Sequence, residues 1–171
     1  ESKTLNCGMT ASNELCDRLE YIRLVCLCAK VIVPDLAESW EVSEDGVVWA
    51  FHLRDNVYFT VSSKKFTAED VKATYDRYLD PDHPLVHSSK MNWIKEVRVV
   101  DDLTCEIVCN GPYALALSAL AGHWGLILTA DLVAEYGDDL GKSIESIDGT
   151  GPYTLKEHIR NERYRFEANP A

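Results

Sequence analysis

"LAESWEVSEDGVVWAFHLRDNVYF", residues 36–59, sets two tryptophans nine positions apart across an Asp-Gly pair. Trp40 and Val42 lead into the charged turn "SEDG", and Trp49, Phe51 and Leu53 alternate on the way out. Period-two alternation on both sides of turn residues is the pattern of a β-hairpin with one apolar face, and the turn needs a positive φ at Gly46. The aromatics are expected to face one side and the polar residues the other.

The neighbouring segments extend the same architecture. "FTAEDVKATYDRYLD" (66–80) places Thr67 as an N-cap with Asp70 three residues on, a capping-box start, and gathers Val71, Tyr75, Tyr78 and Leu79 on one helical face. "EVRVVDDLTCEIVC" (96–109) reads as a second hairpin turning at Asp101-Asp102, with Val97, Val99, Cys105, Ile107 and Cys109 available to the core. "SNELCDRLEYIRLV" (12–25) has apolar residues at helical spacing with Ser12 as N-cap, and "CAKVIVPDLAESW" then runs extended. "TADLVAEYG" (129–137) is a short helix capped by Thr129 and closed by Gly137, and the last stretch gives a Gly-rich turn and two strands. Two hairpins around a helix make an α+β unit.

Composition bounds the function. At 171 residues the chain is one domain or one lobe of something larger, and its net charge of −11, with no basic stripe, argues against nucleic acid and anionic membranes. No apolar run reaches eighteen residues; "LALSALAGHWGLIL" (115–128) is broken by Gly122, His123 and Gly125. The opening "ESKTLNCG" has neither a signal-peptide pattern nor an initiator Met and is expected to be a processed or trimmed end. Six cysteines (7, 16, 26, 28, 105, 109) fit no zinc pattern, since Cys26-x-Cys28 is too tight for C-x2-C and no His is near in sequence. Cys105 and Cys109 are expected to behave as small hydrophobes on a buried strand face; disulfides to the N-terminal cysteines are left open, so the count does not fix the compartment.

Five blocks, "VPDLAESWEVSEDGVVWAFHLRDNVYF", "FTAEDVKATYDRYLDP", "VVDDLTCEIVCNGPYA", "EYGDDLG" and "GTGPYTLKEHIRNERYRFEANP", stand in an order and spacing that resemble the extracellular solute-binding protein family 5, the oligopeptide, dipeptide and nickel receptors of ABC importers. The resemblance runs from about residue 31 to the C-terminus. Residues 1–30 follow it loosely: Asn6-Cys7 and Arg23-Leu24 depart from the family's pattern, as does "FTVSSKKFTAEDV", where an Asp-Gly turn is usual. The resemblance implies a mixed α/β fold, one lobe of a type II periplasmic-binding-protein-like receptor with an inserted hairpin-helix-hairpin subdomain. Residues 1–39 would begin lobe I, 40–127 form the inserted subdomain and 128–171 return to lobe I, the second lobe being absent from this chain.

Ligand contacts carry over by position. The loop after the first strand falls on Met9, Thr10, Ala11 and Ser12; the stretch after the subdomain helix on Leu85, Val86 and His87; and the stretch before the Thr129 helix on His123, Trp124 and Gly125. Nickel- or anion-binding relatives carry an arginine in the last stretch and this chain does not, which weighs against a carboxylate-rich chelate. The bland readings stand beside these. Trp124 suits core as well as cleft, and His83 and His87 near Asp80 and Asp82 read as a solvated loop because Pro84 prevents helical alignment. His52 and His158 sit at polar positions that need no role.

Enzyme readings find little support. There is no Gly-x-Ser-x-Gly elbow, phosphate-binding Gly-rich loop with Lys or His-Glu-x-x-His, and "GTGPY" lacks the third Gly of a dinucleotide site. The expectation is a non-catalytic receptor component of a bacterial ABC importer, extracytoplasmic in the periplasm or at the outer face of the cell membrane, a lipid anchor being one option. It takes a peptide or other small solute, uses no cofactor and no metal, and has as partners a membrane permease and its own second lobe, not nucleic acid. Two rivals stand against it: the sensing domain of a cytoplasmic transcription regulator resembling the same family, and a degenerate lobe kept as an interaction module.

Overall fold

The computed structural model describes residues 4–8, 21–82, 88–159 and 162–169. Its strands are β1 (Thr4–Gly8), β2 (Val25–Cys28), β3 (Val31–Pro34), β4 (Ala37–Val42), β5 (Val48–Leu53), β6 (Ile94–Asp101), β7 (Thr104–Cys109), β8 (Tyr153–Ile159) and β9 (Arg163–Ala168). The helices are α1 (Ala68–Leu79), α2 (Ala116–Leu120) and α3 (Ala130–Tyr136). They form three antiparallel sheets in the orders β4-β5-β7-β6, β2-β3 and β1-β9-β8.

The opening stretch is the hairpin its alternation predicts. Trp40 faces Phe51 and Val42 faces Trp49 across β4 and β5, and Gly46 takes the turn at φ +70°. Trp49, Phe51 and Leu53 are buried, whereas on the edge strand Trp40 is half-buried and Val42 exposed. The second hairpin joins the first edge to edge, β5 pairing with β7, and Val97, Cys105, Ile107 and Cys109 enter the same core. Asp101 belongs to β6, paired with Thr104, so the turn falls on Asp102-Leu103, one residue later than the sequence pattern predicts. Val71 and Tyr75 of α1 close this core from above β6 and β7. Cys26, Cys28, Cys105 and Cys109 are free thiols.

Two expectations need correction. The helix expected over 12–25 does not extend through its described part: Arg23 bridges to Leu126, and Val25 starts β2. Backbone demand outweighs the apolar spacing there. The Arg23 and Leu24 carbonyls accept N–H groups of Leu36 and Ala37, and Ile22 accepts that of Ile127, so the segment is an extended filler between two others. The stretch from Cys28 expected to run extended into Pro34 does so over β3, but it begins with a hairpin turn at Ala29 (φ 48°) and Lys30 (φ 71°) that pairs β3 with β2. Where the resemblance expects Asp-Gly, Ser63 adopts φ 57° and allows the same tight return, with the Ser63 N–H on the Phe59 carbonyl.

A smaller apolar cluster, Leu155 and Phe166 with Ile144, Ile147, Tyr153 and Tyr164, lies under β8 and β9, separate from the main core. The loop after Phe59 joins the two bodies. Asp148, buried, accepts the Val61 N–H at 2.8 Å and the Ser62 N–H at 3.0 Å, and the Thr60 N–H reaches the Gly149 carbonyl at 2.9 Å.

Candidate functional site

Of the three stretches carried over as ligand contacts, Met9, Thr10, Ala11 and Ser12, and also Leu85, Val86 and His87, lie outside the described residues. The third, His123–Gly125, is a single 3-10 turn between α2 and α3. Its sequence forces that geometry. Gly125 approaches the end of α2 so closely that a Cβ there would lie 1.8 Å from the Leu120 carbonyl oxygen, and only glycine fits. Trp124 is half-buried and packs on the main core, so this side chain serves as core filler whatever else it meets.

Arg23 holds the turn from the other side. It is buried, and its Nε donates to the Gly122 carbonyl at 2.7 Å. Asp35 lies near it: burial pushes the Asp35 carboxyl above its ordinary range, opposed by the Arg23 N–H and by the charges of Arg23 and Arg54. A charged residue inside the apolar run "YIRLV" (21–25) was the available sequence signal for this role, and helical spacing concealed it.

Helix α1 anchors the chain beyond this turn. Asp70 Oδ2 accepts the Thr67 N–H at 2.9 Å, and Oδ1 accepts the Ala130 N–H at 2.8 Å, so one carboxylate serves the first turns of α1 and α3. Burial raises the Asp70 carboxyl above its usual range, against those hydrogen bonds and the charge of Lys64. The Leu128 N–H donates to Thr74 Oγ1 at 2.9 Å, and Arg77 Nη2 reaches the Gly137 carbonyl at 2.9 Å, at the far end of α3. The capping role of Asp70 was legible in sequence; its second partner, 60 residues on, was not.

Two depressions flank the segment 144–148. One, of about 220 Å³, lies between Val61 and Ser62, helix α3 and the segment carrying Glu145, Ile147 and Asp148. Its rim carries Asp131, Glu135 and Glu145, Asp131 being ion-paired with Lys64, while Asp148 is committed to the two backbone N–H groups above. The other, of about 240 Å³, is lined by Lys142, Ser143, Ile144 and His158, whose ring stacks on Tyr164 at 4.4 Å. Neither includes Trp124 or Gly125. Both are below the roughly 300–1,000 Å³ that encloses a small ligand. Among the described residues no group of three or more His, Cys, Asp or Glu is placed to hold a metal.

The family described as bacterial extracellular solute-binding proteins, family 5 Middle, matches residues 31–171. Di/tripeptide-binding protein 4 of Pseudomonas aeruginosa (strain UCBPP-PA14) is 35% identical over 81% of this chain and 30% of its own length. The dipeptide-binding protein of Escherichia coli K12 is 34% identical over 80% of this chain and 29% of its own. Among solved structures, Haemophilus influenzae OppA in complex with RPPGFSPFR aligns at TM-score 0.81 and 27% identity, covering 92% of this chain and 34% of that one. Campylobacter jejuni NikZ in complex with Ni(L-His) aligns at TM-score 0.78 and 30% identity, covering 89% and 30%. The chain spans about 30% of the length of the curated relatives it matches. Its mixed α/β architecture is that of the periplasmic binding proteins, and with every residue from 31 onward inside the family match, the chain belongs to the bacterial extracellular solute-binding proteins, family 5.

Proposed function

We propose that this chain is the ligand-capturing lobe of an extracytoplasmic receptor feeding an ABC importer, that its solute is a short peptide, and that it performs no chemistry on that solute. The observation that carries the reading is the identity of about a third to relatives named as di/tripeptide- and dipeptide-binding proteins. A supporting one is the likeness to a receptor solved with a bound nonapeptide. The related haem-binding protein A of Haemophilus influenzae, 33% identical, shows that the family's fold does not fix the ligand. These names favour a receptor over the sensing domain of a transcription regulator.

In this reading the cleft forms between this lobe and a second one, and hinge closure presents both to a membrane permease. Residues 1–39 and 128–171 belong to lobe I and 40–127 to an inserted subdomain. Met9–Ser12, Leu85–His87 and His123–Gly125 edge the cleft. The peptide's backbone pairs with the cleft walls while apolar surface near Leu85 and Trp124 takes its side chains.

The test is a thermal-shift screen of this chain and of the full-length protein containing it, against di- and tripeptides, nickel–histidine, haem and sugar phosphates. Peptide at a hundred times its dissociation constant adds about 2.7 kcal/mol to a competent receptor. A shift of the long protein by peptides, with none in this chain alone, is the expected result. A shift by a sugar phosphate and by no peptide overturns the peptide assignment.

A further inference from the structure

We propose that one face of the β2–β3 hairpin is a two-coordinate site for a soft monovalent cation, copper(I), held between the Cys26 and Cys28 thiolates. The inference is independent of the receptor reading. The two cysteines are two residues apart on β2, so both point to the same face, which they share with their cross-strand partners Val33 and Val31. Cys28 is exposed, Cys26 is half-buried, and both are free thiols. Val31 is 61% exposed, so the thiols stand on an open apolar face.

The spacing selects the bond. Residues i and i+2 of a strand lie about 6.8 Å apart at Cα. That is the outer limit for a disulfide, which also needs Cβ atoms within about 4.5 Å. A linear sulfur–metal–sulfur bridge holds its two sulfurs a pair of metal–sulfur bonds apart, much wider than the roughly 2.05 Å of a disulfide, and so suits two thiols too far apart for one. The chemistry selects the ion. The hairpin Val25–Pro34 has no carboxylate and no imidazole, and no third ligand joins the pair among the described residues. Tetrahedral zinc therefore lacks its donors, hard cations lack oxygen, and a closed-shell thiophilic cation that accepts two ligands is satisfied. Lys30, the hairpin's one charged residue, has the sign that favours an anionic bis-thiolate.

Binding is ligand exchange without electron transfer. Each S–H bond breaks, two S–Cu bonds form, two protons go to solvent, and the metal stays Cu(I).

The experiment uses the chain with Cys7→Ser and Cys16→Ser, leaving buried Cys105 and Cys109 as the other thiols. Copper(I), kept reduced by ascorbate without oxygen, is titrated against a chromophoric copper(I) chelator. The expected result is one copper per chain with a thiolate-to-copper band in the near ultraviolet. Cys26→Ser and Cys28→Ser should each weaken binding about a hundredfold or more, beyond what outer-shell changes cause. Affinity should rise with pH, because binding releases protons from both ligands. Equal uptake by the Cys26→Ser/Cys28→Ser variant, or one copper per two chains, overturns the site. Should the serine background fail to fold, the same double replacement in the unaltered chain must remove one equivalent of copper, and no loss overturns it equally.

Discussion

Gly125 is the position where a single atom decides the local structure. A Cβ there would meet the Leu120 carbonyl oxygen at 1.8 Å, and backbone cannot swing aside as a flexible side chain can. Gly125→Ala should cost about 3 kcal/mol, the upper end of ordinary overpacking. In a chain of this size that lowers Tm by about 6–12 °C. A calorimetric Tm within a degree of the parent's would show that the 122–125 turn is not held against α2. Asp35 governs a pH effect of definite sign. Burial raises its folded carboxyl above the ordinary 3.8, so the folded state holds that proton more tightly than the unfolded chain does. This stabilisation is full below about 3.8 and is lost as pH rises through the folded value, after which it is constant. Urea unfolding of the parent and of Asp35→Asn at a series of pH values should therefore show the parent losing ground to the variant as pH climbs out of that window. A parent that gains ground over the same range would reverse the assignment.

At the scale of elements, how much could be read from sequence depended on where the partners lay. The Trp40–Leu53 hairpin was legible because alternation, turn chemistry and a positive-φ glycine all act within eighteen residues of one another. The α1 start was legible for the same reason, Thr67 and Asp70 being three apart. The segment 21–25 was not, because its conformation is set by backbone bonds to 36–37 and 126–127, and no local pattern reports a partner a hundred residues away. The β2–β3 hairpin escaped notice because its turn uses Ala29 and Lys30 where Asn-Gly would have announced it. Non-glycine residues in the left-handed region cost roughly 1–2 kcal/mol each, so the substitution that would have made the turn visible should also relieve it. Ala29→Asn with Lys30→Gly should raise stability by about 1–2 kcal/mol. Chemical denaturation should show a higher midpoint at unchanged slope, and a lower midpoint would mean that these φ values are not those of the folded hairpin.

For the whole molecule, the fold was more legible than the site because a fold is written in many redundant contacts and a cleft in few. Five sequence blocks located the lobe, and the family match and the alignment to peptide-bound OppA agree with them. The contact positions gave only one turn among the described residues, held by a glycine and a buried arginine. On the proposed reading the cleft is shared with a second lobe, and the residues of one lobe do not specify it. The same reasoning predicts how the 171-residue chain behaves by itself. Among the described residues β8 pairs only with β9, leaving one edge of the β1-β9-β8 sheet without a strand. Leu27, Val31, Val61 and Leu115 are each more than half exposed. Unpaired strand edges and exposed apolar groups are what drive chains to pair with one another. Self-association should therefore grow with concentration, reaching dimers or larger species by light scattering, and it should weaken when Leu27→Ser is introduced on the exposed surface. A monodisperse monomer at high concentration would mean that this lobe closes its own surface, and that the family's second lobe is needed for the ligand alone and not for covering the first.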